Sequence, residues 1–274
     1  MQPIEFAKKI YRRLVINNDI KIAYHKWIAN NCQNSIYGKK LRKIKGIHNG
    51  EKCIIVGNGP SLTVEDLDAI HDSGIITFGV NRIFKIFPDT KWRPTYYAAE
   101  DPDVIRGVCD EIDSVPAKIK FIPLQIIWYE TNKKFSNVLY FWQNFDPAKR
   151  FKYGFSPAID RQIEHAGTVT CTCIQIAAYM GFSEIYLIGI DHNFRVIVDE
   201  KGNTVVDNSV KDHFCEDYEA DYIKNVQPPE LGKTTNSYIN MKAYCEENGV
   251  RICNSTRGGK LEVFERIPLE TVLS

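Results

Sequence analysis

Three groups of residues in this chain carry the chemistry of a reactive site. The first is a glycine turn, Gly57-Asn58-Gly59-Pro60-Ser61, between a strand-like run at 52–56 and a helix pattern that Thr63 and Asp66 open as a capping box. Gly57 and Gly59 permit positive φ and close approach to the backbone, and Pro60 fixes the exit. The helix start beyond offers N–H groups and partial positive charge, which together make a phosphate cradle. A turn that merely joins strand to helix has the same composition. The second group stands directly after strand-like runs: Asn81 and Arg82, Glu100 and Asp101, Asp191 and His192. Asn81 can hold a base, ribose or sugar hydroxyl, while Glu100, Asp101 and Asp191 can accept ribose hydroxyls or bind a hard cation. Asp101, followed by Pro102, is equally a helix cap. The third is His213, beside Asp212 and Phe214, with Asp217, Tyr218 and Tyr222 close in sequence. A histidine oriented by a carboxylate is a general base; an ordinary surface histidine has the same neighbours.

These residues need a frame. Strand-like runs recur at 53–56, 75–80, 95–99, 119–123, 138–142, 184–190 and 250–253, with helix patterns at 64–72, 103–112, 169–180 and 237–248. Gly249 ends the last of them as a helix stop. The alternation predicts an α/β fold: a Rossmann-like, mostly parallel sheet with flanking helices and a ligand over the carboxyl ends of the strands. The stretch 194–233 lacks periodicity and is expected to be a lid-like segment.

A chain of 274 residues with 44% hydrophobic and 25% charged residues can bury a large core. It divides into a basic helical extension at 1–48 and a nucleotide-binding catalytic domain at 49–274. Its eight cysteines are scattered, and the close pair Cys171 and Cys173 has no second pair at zinc spacing, so reduced thiols are expected. No run approaches the roughly 18 apolar residues of a spanning helix, and no signal-peptide core opens the chain; a cytoplasmic location follows as the expectation. Residues 1–45 hold eleven lysines and arginines against Glu5 and Asp19, a net +9 that leaves −8 for the remainder. Ile10, Tyr11, Leu14 and Val15 form a stripe opposite Lys8, Lys9, Arg12 and Arg13. Such a basic amphipathic helix packs on the body, forms a homo-oligomer contact, or rests peripherally on the inner membrane. No nucleic-acid partner is expected.

The glycine turn, Asn81, the element Gly167-Thr168-Val169-Thr170, and the run from Met180 to Asp191 together resemble one superfamily. It includes bacterial sialyltransferases of the Campylobacter lipooligosaccharide type and the 6-hydroxymethylpterin diphosphokinase-like (MptE-like) proteins. The tail 254–264 is more similar to the MptE-like branch. The resemblance implies nucleotide or donor-sugar contacts at Asn58, Gly59, Ser61 and Asn81, with Thr168 at a helix start facing an anionic donor group; Gly57, Pro60, Arg82, Asp101 and Thr170 complete the expected donor-binding set. It implies a glycosyltransferase using a nucleotide-activated, CMP-linked donor, without a metal, to extend a bacterial surface glycan or lipid-linked acceptor. Ala166 stands where the sialyltransferases have an arginine, and their catalytic-histidine position falls near Gly232, leaving His213 and Asp191 as the catalytic pair. The alternatives are diphosphate transfer from ATP to a pterin-like alcohol, with Mg²⁺ on Asp101 and Asp191, and a non-catalytic nucleotide- or glycan-binding protein.

Overall fold

The computed structural model describes residues 23–129, 133–144, 154–198, 203–215, 218 and 230–274. The expected stripe at residues 8–15 lies outside them, as do Asp217 and Tyr222.

Eight parallel strands form one sheet: β1 (Lys52–Val56), β2 (Ile76–Val80), β3 (Tyr96–Ala98), β4 (Ile119–Pro123), β5 (Val138–Phe141), β6 (Glu184–Ile188), β7 (Arg251–Asn254) and β8 (Glu265–Arg266). Their spatial order is β8-β7-β6-β1-β2-β3-β4-β5. Parallel strands covered on both faces read as continuous apolar runs, and β1 is such a case, with Cys53, Ile54, Ile55 and Val56 all fully buried. Strand alternation sends Cys53 and Ile55 into one core with Cys173 and Ile174, and Ile54 and Val56 into the other with Leu67 and Ile70.

Among the helices of the described residues are α1 (Ile36–Leu41), α2 (Val64–Ser73), α3 (Pro102–Gly107), α4 (Val169–Met180) and α5 (Leu231–Glu247). The expected capping box is present on α2, where Thr63 Oγ1 accepts from Asp66 N–H and Asp66 Oδ2 accepts from Thr63 N–H, both at 3.2 Å. Reciprocal capping of this kind stabilises a helix start by about 1 kcal/mol. The single helix expected at 103–112 breaks at Val108, whose φ −138 and ψ 42 end α3 before a second short helix at Cys109–Ser114. The helix expected at 237–248 starts six residues earlier, at Leu231. Within 194–233 lies an antiparallel hairpin, Val196–Val198 with Thr204–Val206.

Before β1, residues 23–31 are helical, and Ser35 caps α1 by accepting from Tyr37 and Gly38 N–H. The turn at 46–50 docks on the end of α4 through Gly46 N–H to Tyr179 O (3.1 Å) and His48 N–H to Met180 O (2.9 Å). Among the described residues no helix is long and apolar enough to cross a membrane.

Candidate functional site

From β1 the chain runs outward through β2 to β5, then returns as β6 on the other side of β1. Loops leaving β1 and β6 therefore stand on either side of the chain reversal at the strands' carboxyl ends, where open α/β sheets form their ligand crevices. The near ends of the two loops are bonded together. Gly57 N–H donates to Ile188 O and Gly59 N–H to Gly189 O, each at 2.8 Å. Ser61 then donates its hydroxyl to Asp191 Oδ2 at 2.8 Å.

This changes the meaning of the glycine turn. Neither Gly57 nor Gly59 takes positive φ. A Cβ on Gly57 would lie 2.3 Å from Ile190 Cδ1, and one on Gly59 would lie 1.9 Å from Asp191 Oδ2 and 2.8 Å from Gly189 O. Glycine is required because the β6 loop comes this close. The N–H groups of Gly57 and Gly59, expected to face a phosphate, are spent on that loop.

A third loop closes over Asp191. Lys260 N–H donates to Asp191 O (2.7 Å), Thr256 Oγ1 accepts from Ile190 N–H (3.1 Å), and Gly259, at φ +73, would carry a Cβ only 2.7 Å from Asp191 O. Arg257 forks onto both carboxylate oxygens of Asp66 in α2. Burial raises the Asp191 carboxyl above its ordinary value, with the Ser61 hydrogen bonds opposing the rise.

At the end of β2, Asn81 stands at φ 48, in the left-handed region, and its carbonyl accepts from the Tyr97 hydroxyl at 2.5 Å. Tyr218 then joins several expected site residues. Its hydroxyl accepts from Asn58 Nδ2 (2.8 Å) and from Arg82 N–H (3.3 Å), its carbonyl accepts from the Arg82 guanidinium, and that guanidinium lies 5.7 Å from its ring. His213 stacks on the same ring at 3.7 Å and 23°, and Phe214 N–H donates to Asn58 O. Among the described residues the buried Oδ1 atoms of Asn58 and Asn81 have no hydrogen-bond donor, which is uncommon for buried acceptors.

The other expected residues have local capping roles. Asp101 caps α3, its Oδ1 accepting from Asp103 N–H (2.7 Å) and Val104 N–H (3.1 Å). Thr168 caps α4 by accepting from Thr170 N–H at 3.4 Å. Of the pair expected to hold Mg²⁺ in the alternative reading, Asp101 thus serves a helix cap through Oδ1 and Asp191 accepts from Ser61 through Oδ2.

Two further residues stand after strands: Glu100, expected to accept ribose hydroxyls or bind a hard cation, and His192, for which the sequence suggested no role. Glu100 is 6% exposed, and its Oε2 accepts from the Thr172 hydroxyl (2.5 Å) and Gln143 Nε2 (2.7 Å). Burial raises its carboxyl above the usual value, partly offset by His165 and these hydrogen bonds. His192, at φ 50, meets Thr235 Oγ1 through Nε2 at 2.8 Å. Because the Thr235 hydroxyl donates its one hydrogen to Leu231 O, Nε2 must carry the imidazole proton and Nδ1 the lone pair. Burial lowers the His192 pKa and favours this neutral form. Position after a strand was the only signal for either residue.

A parallel sheet with one chain reversal, and a crevice edged by asparagines at the reversal, defines a Rossmann-like α/β protein. The chain belongs to the 6-hydroxymethylpterin diphosphokinase MptE-like family, whose sequence profile matches residues 26–196. The fold is similar to the MAf glycosyltransferase from Magnetospirillum magneticum AMB-1 at TM-score 0.51 and 14% identity, covering 86% of this chain and 38% of that one. The chain thus spans well under half of that protein's length. The sialyltransferase CstII from Campylobacter jejuni, solved with cytidine-5'-monophosphate, is similar at TM-score 0.44 and 14% identity over 81% of this chain and 86% of that one. A mammalian sialyltransferase is similar at TM-score 0.40 and 15% identity over 88% and 86%. A search of curated proteins found no match.

Proposed function

We propose that the protein is a glycosyltransferase that moves a sugar from a nucleotide-activated, CMP-linked donor to a hydroxyl of a glycan or lipid-linked acceptor. The observation that carries this reading is the meeting of Asn58, Asn81, Arg82, Tyr218 and His213 at the ends of β1 and β2, with two buried acceptor oxygens lacking donors. Such oxygens suit an exocyclic amine or sugar hydroxyl better than a phosphate. In the reaction, the acceptor oxygen forms a bond to the anomeric carbon as the sugar–phosphate bond breaks. The hydroxyl proton passes to His213, and CMP leaves with the bonding electron pair.

Family membership supports a second reading, diphosphate transfer from ATP to a pterin-like alcohol. Thermal-shift measurements with CMP, CDP, UDP, GDP, ATP and CMP-sialic acid, each with and without Mg²⁺, separate the two. A ligand that binds only the folded state at a hundred times its Kd stabilises the protein by about 2.7 kcal/mol. Stabilisation by cytidine nucleotides without Mg²⁺ is the expected result. Stabilisation by ATP alone, and only with Mg²⁺, overturns the glycosyltransferase reading.

A further inference from the structure

The small helical unit before β1 has an inner face held by the body of the protein and an outer face with uncompensated charge. His25, Ile28 and Cys32 are buried, and the latter two pack with Leu124. Gly38 holds α1 close, since a Cβ there would lie 2.3 Å from Cys32 O. Outward, residues 23–45 carry six lysines and arginines and no aspartate or glutamate. Arg42 pairs with Asp160 at 3.4 Å and Lys45 lies 5.8 Å from the Tyr179 ring centre. Lys26, Lys39, Lys40 and Lys43 are exposed and pair with no described residue.

Among these lysines stand exposed apolar groups. Tyr24 and Trp27 are 42% and 46% exposed, with rings stacked at 6.2 Å and 17°. Ile36 is 61% exposed, one helical turn from Lys39 and Lys40. Single exposed apolar residues are ordinary. A stacked Trp–Tyr pair beside unpaired lysines is different, because amphipathic rings and long cationic side chains suit the boundary between acyl chains and headgroups.

We propose that this outer face docks on an anionic phospholipid surface. Charge complementarity selects the partner. The four lysines face anionic headgroups, while the remainder of the chain beyond residue 45, at net −8, is repelled and stays on the aqueous side. A nucleic-acid backbone offers phosphates but no apolar layer for Trp27 and Ile36. The proposal stands independently of the reaction assigned above.

The full chain is sedimented with vesicles of phosphatidylcholine alone and of phosphatidylcholine with phosphatidylserine. Binding to the anionic vesicles only, released by high salt, is the expected result. Reversing Lys26, Lys39, Lys40 and Lys43 to Glu lowers partitioning by about tenfold or more, since each basic residue near the surface contributes appreciably. Tyr24→Ser with Trp27→Ser lowers it while leaving the charge intact, and circular dichroism checks that both variants are folded. Protein that stays in the supernatant with anionic vesicles at low salt overturns the proposal. So does undiminished binding by either folded variant, or self-association or RNA-oligonucleotide binding through these residues without vesicle binding.

Discussion

Placing a methyl group on Gly59 tests the way the crevice is built. In Gly59→Ala the new Cβ lies 1.9 Å from Asp191 Oδ2 and 2.8 Å from the carbonyl oxygen of Gly189. The carboxylate can swing away only by giving up the Ser61 hydroxyl at 2.8 Å, and the carbonyl can retreat only by stretching the Gly59 N–H bond to it, also 2.8 Å. Overpacking costs about 1–3 kcal/mol and a lost hydrogen bond to a charged group about 1.5–3, so the variant loses about 3–5 kcal/mol in all. Asp191→Ala alone costs about 1–2 kcal/mol, because Ser61 loses its acceptor while the buried charge is also removed. Combining the two relieves the side-chain clash, and the double variant is more stable than the sum of the singles by about 1–2 kcal/mol. Urea unfolding followed by circular dichroism measures all three variants. A Gly59→Ala cost below about 0.5 kcal/mol, or strictly additive costs, refutes the close-approach account.

His213→Ala lowers kcat by about a hundredfold or more with little change in donor affinity, measured as nucleotide release from the donor that binds in the thermal-shift panel. An unchanged kcat removes His213 from proton transfer. Glu100 predicts a pH dependence. Burial raises its folded-state pKa above the usual 4.5, so its stabilising contribution is fully present below that value and is lost as pH rises through the folded value. Glu100→Gln keeps an acceptor for the Thr172 hydroxyl and Gln143 Nε2 but removes the charge, so the variant gains stability relative to the parent as pH rises above the usual carboxyl value of 4.5. Parallel stability curves for the two proteins contradict it.

The sheet was legible in the sequence because a parallel strand covered on both faces reads as a largely apolar run, as Cys53–Val56 in β1 and Ile185–Ile188 in β6 do, even where Lys120 interrupts β4. β8 was not, since a two-residue edge strand with Glu265 and Arg266 both exposed carries no such pattern. The start of α5 was hidden for a related reason: Glu230 makes no side-chain cap and the first turn, Leu231-Gly232-Lys233-Thr234, has no apolar stripe. At the site, the position of Gly57 to Ser61 could be read, but the demand for glycine could not. It comes from a loop some 130 residues further along the chain, and no local pattern encodes so distant a neighbour. The same holds for Asp191, which reads as an open carboxylate until Ser61 is beside it, and for Tyr218, whose bonds run to Asn58 and Arg82.

The order of the strands also bears on how the protein is made. As the chain leaves the ribosome, β1 gains β2 beside it soon after synthesis, but its other edge waits for β6, more than a hundred residues later. During that interval a strand apolar from Cys53 to Val56 presents an unpaired edge, the kind of surface on which nascent chains associate and chaperones act. The crevice is delayed further, because Thr256, Gly259 and Lys260 close over Asp191 only when the stretch joining β7 to β8 has been made. A ribosome-bound chain halted before residue 250 can therefore hold most of its sheet while the loop that closes over Asp191 has yet to be made.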